Sequence, residues 1–320
     1  MNTLNFDPKT QRFQNLYPIK TPKMTLKQSL RAAQEILYKS AQKIPTSKIP
    51  QIKPDLEVFE KASDRLKFIW FGHSTVLLNI DGIKVLFDPM FSLYASPIKG
   101  IIKRFQPPVL MLKELPYIDV IVISHDHYDH LDKKSIQFFK DKETRFVVPL
   151  GIKRYVMKWG ISEQKIVELD WHESYQMDSI HFTATPAHHF SGRNLLGHNK
   201  TLWASWVIKG KNANVFFSGD SAYSPHFKEI GERYGAFDMA FMENGQYDKR
   251  WINAHMMPEQ TVQAIKDIQA KFFVPIHWSM FRLSPHHWLD PIIQSLKITK
   301  EQNVHMLHPL LGEIMSIPLY

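Results

Sequence analysis

Residues 124–132 read SHDHYDHLD, with three histidines and three acidic residues in nine positions, directly after the apolar run IDVIVI. Imidazole nitrogens and carboxylate oxygens are ligands for divalent cations, and Zn2+ takes both at about 2.0–2.2 Å. His125, His127, Asp129 and His130 place four such groups within six residues. That is more than one open catalytic ion needs, and it suits two adjacent ions, each completed from elsewhere in the chain. Completing groups stand at the ends of other apolar runs: His188 and His189 in TPAHHF, Asp220 in FFSGD and His277 in VPIHW. A buried strand ends at a fixed place, so ligands delivered by several strand ends are pre-organised. The chain has no cysteine, which excludes thiolate sites and disulfides. Two ions about 3.5–4 Å apart hold a bridging hydroxide at neutral pH and neutralise charge developing on phosphorus or a carbonyl. Such a centre needs no serine or cysteine nucleophile, and the sequence has no G-x-S-x-G, P-loop or G-x-G-x-x-G pattern.

The elements that must carry these groups are legible from periodicity. LKFIWFG, STVLLNI and IKVLFDP are short apolar runs, the last two joined by Asp81-Gly82, a strong hairpin signal. YIDVIVISH is almost continuously apolar, which implies a strand buried on both faces. RFVVPL, SIHFTATPA, LWASWVIKG, ANVFFSGD, FDMAFMENG and KFFVPIHW continue the series. Helical stretches lie between them at LDKKSIQFFK, GIKRYVMKWG and MPEQTVQAIKDIQA, the last with Pro258 near its first turn. Hairpins followed by alternating strands and helices predict an α/β protein with sheets covered by helices.

The N-terminal region differs in composition. Residues 1–53 hold ten basic and two acidic residues, which accounts for +8 of the chain's net charge of +9. Residues 1–24 read as an irregular arm, and 24–43 as a basic amphipathic helix with Leu26, Leu30, Ala33, Leu37 and Ala41 on one face. That face either packs on the domain or lies on an anionic membrane surface. Pro45, Pro50 and Pro54 mark a linker, so the expected division is an arm over 1–60 and a domain carrying the ligand cluster over 61–320. No apolar run is long enough to cross a bilayer, and no secretory leader is visible. With the lack of cysteine, this places the chain in the cytoplasm, with membrane association through the arm as the open alternative.

The pattern H-x-H-x-D-H after an apolar strand resembles the signature of the metallo-β-lactamase superfamily, over about residues 66–318. Within it, WFGHSTVLL, SHDHYDHLD, TPAHHFSGRN…TLWASWVI, FSGDSAY, VPIHW and the arm's RFQNLYP look like the branch containing the phospholipase D that hydrolyses N-acylphosphatidylethanolamine. The resemblance implies a four-layer αβ/βα sandwich. It implies one zinc on His125, His127 and His189, with His188 as the alternative, and a second zinc on Asp129, His130 and His277. Asp220 would bridge them. Histidine rather than glutamate at position 127 favours zinc, with iron or manganese also compatible. Asp129, Asp220 and His255 are the candidate catalytic residues. His255 and Tyr128 would face the substrate, while Asp88 and His73 would support the ligands from behind or serve as a turn residue and a core histidine. The implied activity is phosphodiester hydrolysis of N-acylphosphatidylethanolamine-like phospholipids to phosphatidic acid and an N-acylethanolamine. The alternative is a soluble substrate: a cyclic or nucleic-acid phosphodiester, or a sugar-phosphate lactone. Nucleic acid is disfavoured because no RNA-binding motif is present, and the resemblance is compatible with a homodimer. Glu243 and Asn244 depart from the apolar residues of the eukaryotic branch, and are expected to line the substrate site.

Overall fold

The computed structural model describes residues 5–18, 24–37, 43–61, 66–193 and 197–317. Strands β1 (Phe6–Asp7) and β2 (Arg12–Phe13) form a small hairpin ahead of helices α1 (Leu26–Leu37) and α2 (Leu56–Glu60). β3 (Leu66–Trp70), β4 (Val76–Ile80), β5 (Ile83–Phe87) and β6 (Val120–Val122) follow, then α3 (Lys133–Phe138), β7 (Arg145–Pro149), α4 (Lys153–Lys158) and β8 (Ile166–Leu169). The second half contributes β9 (Ser174–Met177), β10 (Ile180–Thr185), β11 (Ser205–Lys209), β12 (Asn214–Phe217) and α5 (His226–Tyr234). It ends with β13 (Phe237–Glu243), α6 (Pro258–Asp267), β14 (Ala270–Ile276), α7 (Asp290–Gln302) and β15 (Ile314–Ile317).

Among the described residues, the strands after β2 form two sheets, a seven-stranded one in the order β15-β3-β4-β5-β6-β7-β8 and a six-stranded one in the order β14-β13-β12-β11-β10-β9. Their inner faces share one core, with Phe68 against Phe241 at 5.1 Å between ring centroids and Phe87 stacked on Phe217 at 4.5 Å. The outer face of the first sheet packs Ile69, Leu86, Ile121 and Phe146 against Phe59 of α2, Ile136 of α3 and Val156 of α4. The outer face of the second packs Phe216, Ala240 and Phe273 against Phe227 of α5 and Ile265 of α6. This is the helix–sheet–sheet–helix sandwich expected from the resemblance. Strands covered on both faces are mostly apolar, which is why β6 reads as a continuous hydrophobic run and β3 and β4 carry one polar residue each, Lys67 and Asn79. The predicted Asp81-Gly82 turn joins β4 and β5, with Ile80 paired to Ile83 and φ of 52° and 84° at the two turn residues. Positive φ at both positions is the type I′ geometry that matches strand twist.

Strand direction decides where the chemistry collects. β3 and β5–β8 run one way in the first sheet, and β10 and β12–β14 share a direction in the second. The segments holding His73, Asp88, His125, His189, Asp220 and His277 each follow the carboxyl end of one of these strands.

The N-terminal residues are more ordered than the irregular arm read from sequence. Phe13 is buried in the main core and packs in a tilted pair with Phe6 at 5.1 Å between centroids. The backbone N–H of Phe13 donates to Asn199 O at 2.8 Å. On α1, Ala32 is buried, whereas Leu26 and Leu30 are 77% and 63% exposed. Among the described residues, then, the predicted apolar stripe is only partly covered by the domain. Ala41 lies outside them.

Candidate metal centre

The SHDHYDHLD segment leaves β6 and closes a tight turn, with the N–H of Leu131 donating to His127 O at 2.8 Å. Asp132 then caps α3, accepting from the N–H groups of Lys134 and Ser135. This turn aims His125, His127, Asp129 and His130 at one spot and Asp126 elsewhere, onto the N–H of Gly192 at 2.7 Å. Gly219 adopts φ +57°, and a Cβ there would stand 2.6 Å from the Ser124 Cβ. Glycine therefore lets the segment after β12 approach the ligand turn closely enough to deliver Asp220.

Two groups of donors result. His125, His127, His189 and Asp220 form one, and His73, Asp129, His130 and His277 the other, with ligand atoms within 4.8 Å of one another in each. Asp220 lies between them. Its Oδ2 is 3.7 Å from His125 Nε2, 3.8 Å from His189 Nε2 and 3.1 Å from His277 Nε2, and its Oδ1 is 3.2 Å from His130 Nε2. His127 turns its Nδ1 inward, 2.9 Å from His125 Nε2 and 3.3 Å from His189 Nε2. His189, not His188, enters the group. The His188 backbone is pinned to Ser221 Oγ and to the N–H of Ala222, and burial lowers its ring pKa to about 4.

The rings are held from behind. His130 Nδ1 meets Asp88 Oδ2 at 2.7 Å, and His189 Nδ1 donates to Ala254 O at 3.0 Å. Ser124 Oγ joins Asp88 Oδ2 at 2.6 Å to His125 Nδ1 at 2.9 Å. Carboxylates and carbonyls behind ligating histidines fix ring orientation and raise ligand basicity. His73 Nε2 stands 2.8 Å from Asp129 Oδ2, so this histidine contacts a candidate ligand. Burial holds the His73 ring neutral, with its pKa lowered to about 3. His73, Asp88 and His277 all have left-handed φ, at 53°, 39° and 66°. Such strain in non-glycine residues, roughly 1–3 kcal/mol each, gathers at functional sites.

Asp88 makes a sharp stability prediction. It is fully buried and accepts from the N–H and Oγ of Ser124 as well as facing His130. Asp88→Ala leaves these donors buried without a partner, at a cost of about 3 kcal/mol. Chemical denaturation of the metal-free protein measures it. A loss below about 1 kcal/mol would show that the network carries no such weight.

Glu243 and Asn244 do not line the substrate side as their sequence position suggested. Glu243 ends β13 fully buried, with its Oε1 against His255 Nδ1 and 3.5 Å from His277 Nδ1. Asn244 points away, donating to Pro291 O and accepting from Ser295 Oγ on α7. His255 stacks beside His277, with ring centroids 5.0 Å apart, and groups with Asp220 and His277. Tyr128, between His127 and Asp129 in the chain, turns to Arg193: its hydroxyl donates to Arg193 O at 3.0 Å, and the Arg193 guanidinium sits 4.0 Å above its ring. Both line a cavity of about 840 Å3, together with Lys99, Lys158 and Trp159.

Electrostatics shows what the donors require. Burial alone would raise the Asp129 and Asp220 carboxyls, yet the His130 charge holds both well below the usual range. Burial disfavours charge on His130 and His277 too, but Asp220 and Asp129 outweigh it, raising His130 well above normal and His277 to about 10. Burial drives His125 and His189 well below 6.5. The protein thus buries carboxylates that demand positive charge, beside imidazoles of His125 and His189 that burial keeps neutral, and among the described residues His130 Nε2 and Asp220 Oδ1, 3.2 Å apart, make no well-aligned hydrogen bond. That donor set fits divalent cations.

A pH dependence follows for the metal-free protein. His277 has a folded pKa of about 10 against an ordinary 6.5. Its contribution to stability is complete below about pH 6.5 and is lost as pH rises from there through about 10. His130 acts in the same direction. Denaturation midpoints of the metal-free protein should fall between pH 7 and pH 10, and adding metal should release protons, measurable by calorimetry in buffers of different ionisation enthalpy. A flat midpoint with no proton release would contradict this charge balance.

Residues 84–278 match the model of the family described as Beta-lactamase superfamily domain. The chain belongs to the metallo-β-lactamase superfamily. It is 39% identical over 284 residues to an uncharacterized protein of Mycobacterium tuberculosis, covering 87% of this chain and 76% of that one. It is 34% identical to the N-acyl-phosphatidylethanolamine-hydrolyzing phospholipase D 1 of Caenorhabditis elegans, over 69% of this chain and 66% of that one. It is also 34% identical to the mitochondrial enzyme of the same description from Saccharomyces cerevisiae, again over 69% of this chain but only 49% of the relative. Among solved structures, a metallo hydrolase from Ignicoccus hospitalis aligns with a TM-score of 0.62 at 21% identity, covering 80% of this chain and all of that one. That likeness carries the fold. As a member of the superfamily, the protein is a metal-dependent hydrolase.

Proposed function

We propose that this metallo-β-lactamase-fold protein is a dinuclear zinc phosphodiesterase of phospholipase D type, acting on N-acylphosphatidylethanolamine-like phospholipids. The observation that carries the reading is the 34% identity to two enzymes named for that activity, in a chain whose donors converge at one rim of the sandwich. His125, His127 and His189 would hold one ion and Asp129, His130 and His277 the other, with Asp220 as the carboxylate shared between the two groups. When bound, such a pair lowers the pKa of water and neutralises charge on phosphoryl oxygens.

The chain's own groups do the rest. Water adds its oxygen to phosphorus, the phosphorus–oxygen bond to the ethanolamine side breaks, and the leaving oxygen takes a proton that the attacking water in turn replaces on the donor. His255 is placed to supply it, because Glu243 engages its Nδ1 and leaves Nε2 for the substrate. The products are phosphatidic acid and an N-acylethanolamine. Tyr128 and the cavity it lines with Arg193, Lys99 and Lys158 suit the anionic part of a phospholipid. The exposed Leu26 and Leu30 beside Lys27 and Arg31 suit peripheral contact of α1 with an anionic bilayer surface from the cytoplasmic side. Among the described residues, no helix is long and apolar enough to cross a membrane.

The test is mass spectrometry of products after incubating zinc-loaded protein with N-acylphosphatidylethanolamine, phosphatidylethanolamine and a soluble phosphodiester, with Asp220→Asn as the blank. Metal-dependent phosphatidic acid supports the reading. Cleavage of the soluble diester alone moves the substrate to the soluble class.

A further inference from the structure

His189 stands in the loop after β10, away from the SHDHYDHLD turn, and part of its own support comes from 174 positions away in the chain. Its ring is oriented by Ala254 O at 3.0 Å. Its backbone is gripped from both sides by one side chain of the N-terminal region. Asn15 Nδ2 donates to His189 O at 2.9 Å, and the N–H of His189 donates to Asn15 Oδ1 at 3.1 Å. The same Oδ1 accepts from Trp203 Nε1 at 2.9 Å. Trp203 is buried, and its Nε1 also reaches Ala187 O at 3.0 Å, two residues before His189.

Asn15 is itself anchored. The N–H of Gln14 donates to Asn5 O at 2.7 Å, and Phe13 is buried in the inter-sheet core. Asn199 accepts from the N–H of Phe13 at 2.8 Å through its carbonyl, while the N–H of Ser191 donates to its Oδ1 at 3.1 Å. A chain of contacts therefore runs from the β1–β2 hairpin to the residues on either side of His189. The segment after β10 is a loop without ladder partners at His189, so the carboxamide replaces the strand that would otherwise hold this peptide. Only an amide does so: it offers a donor and an acceptor from one planar group. Aspartate would set an acceptor against His189 O, and alanine would leave both backbone groups unheld.

We infer that Asn15 is a positioning residue for the metal centre, setting the place of His189 by clamping both sides of its peptide. This makes residues 5–15, outside the part of the chain matched to the family, a component of the site. The inference rests on the proposed dinuclear reading and on His189 as a ligand. A ligand's supporting groups are worth about 10–100-fold in metal affinity, and a support loosened by about 1 Å degrades a site.

The experiment uses the full chain, freed of metal and titrated stepwise with cobalt(II), with visible absorption and a competing chelator as readouts. Asn15→Asp should bind one equivalent like the unsubstituted protein and the other about 10–100-fold more weakly, with an altered visible spectrum. Tyr17→Phe, which removes a contact of the same region with Glu229 and does not touch His189, should leave both unchanged. Thermal melts of the metal-free variants separate folding from binding, and Asn15→Ala carries the test if the aspartate variant does not fold. Unchanged binding of both equivalents in the Asn15 variants would overturn the inference. So would equal weakening of both equivalents in a variant that melts normally. If the unsubstituted protein took up no cobalt, the dinuclear reading itself would fall and take this inference with it.

Discussion

Asp220→Asn is expected to reduce hydrolysis by on the order of a thousand-fold or more while the fold persists. Asp220 is close to both donor groups, within 3.1–3.8 Å of the ring nitrogens of His125, His130, His189 and His277. The amide keeps the size but removes the negative charge, and it leaves a single oxygen where two are used. Charge stabilisation by bound metal is worth several kcal/mol, and about 1.4 kcal/mol is a factor of ten in rate. In the metal-free protein the same change removes the largest influence that raises His277, so its pKa should drop from about 10 toward the ordinary value. Metal content by mass spectrometry, steady-state rates and histidine titration by NMR together check this. A variant that retains both metals and more than a tenth of the activity would sink the bridging role.

Glu243→Gln is expected to have the second largest effect. Glu243 is a fully buried acid whose Oε1 faces the Nδ1 atoms of both His255 and His277, while Oε2 accepts from the N–H groups of Ser221 and Met256. Glutamine preserves the volume but has one acceptor oxygen in place of two, so it must abandon either the histidines or the backbone pair. Loss of a carboxylate behind a ligating histidine lowers metal affinity or activity about 10–100-fold. Loss of the partner of His255 also removes its ring orientation, so kcat should fall even at saturating metal. A variant that loses metal affinity alone, with kcat restored by excess zinc, would assign Glu243 to His277 only. Unchanged affinity and kcat would remove it from the site.

Much of the fold was legible because its physics is local. Strands covered on both faces must be apolar, so β6, β7, β12 and β14 announce themselves as hydrophobic runs. Asp81-Gly82 specifies its turn because only residues tolerant of positive φ close a two-residue hairpin. β8 and β9 gave no such signal, since Val167, Glu168, Tyr175 and Met177 are only half-buried and their four-residue stretches alternate weakly. β1 and β2, two residues each, are held by Phe13 in a distant core rather than by any propensity of their own.

The site divides in the same way. Residue type and spacing by themselves marked His125, His127, Asp129 and His130 as a ligand cluster, because a short turn after a rigid strand can aim them together only at one place. They also marked His189, Asp220 and His277 as candidates, because each follows an apolar run. Which of two adjacent histidines turns inward was decided by tertiary contacts: Ser221 and Ala222 hold the backbone of His188, while Asn15 and Ala254 orient His189. Glu243 looked like a residue of the substrate wall and proved to stand behind two histidines. Asn15 lies in RFQNLYP, one of the segments that carry the resemblance, but nothing in that segment tied it to the metal centre. A hydrogen bond between residues 174 positions apart leaves no periodicity in the sequence, and it exists only because two sheets and an N-terminal hairpin bring those positions to the same rim.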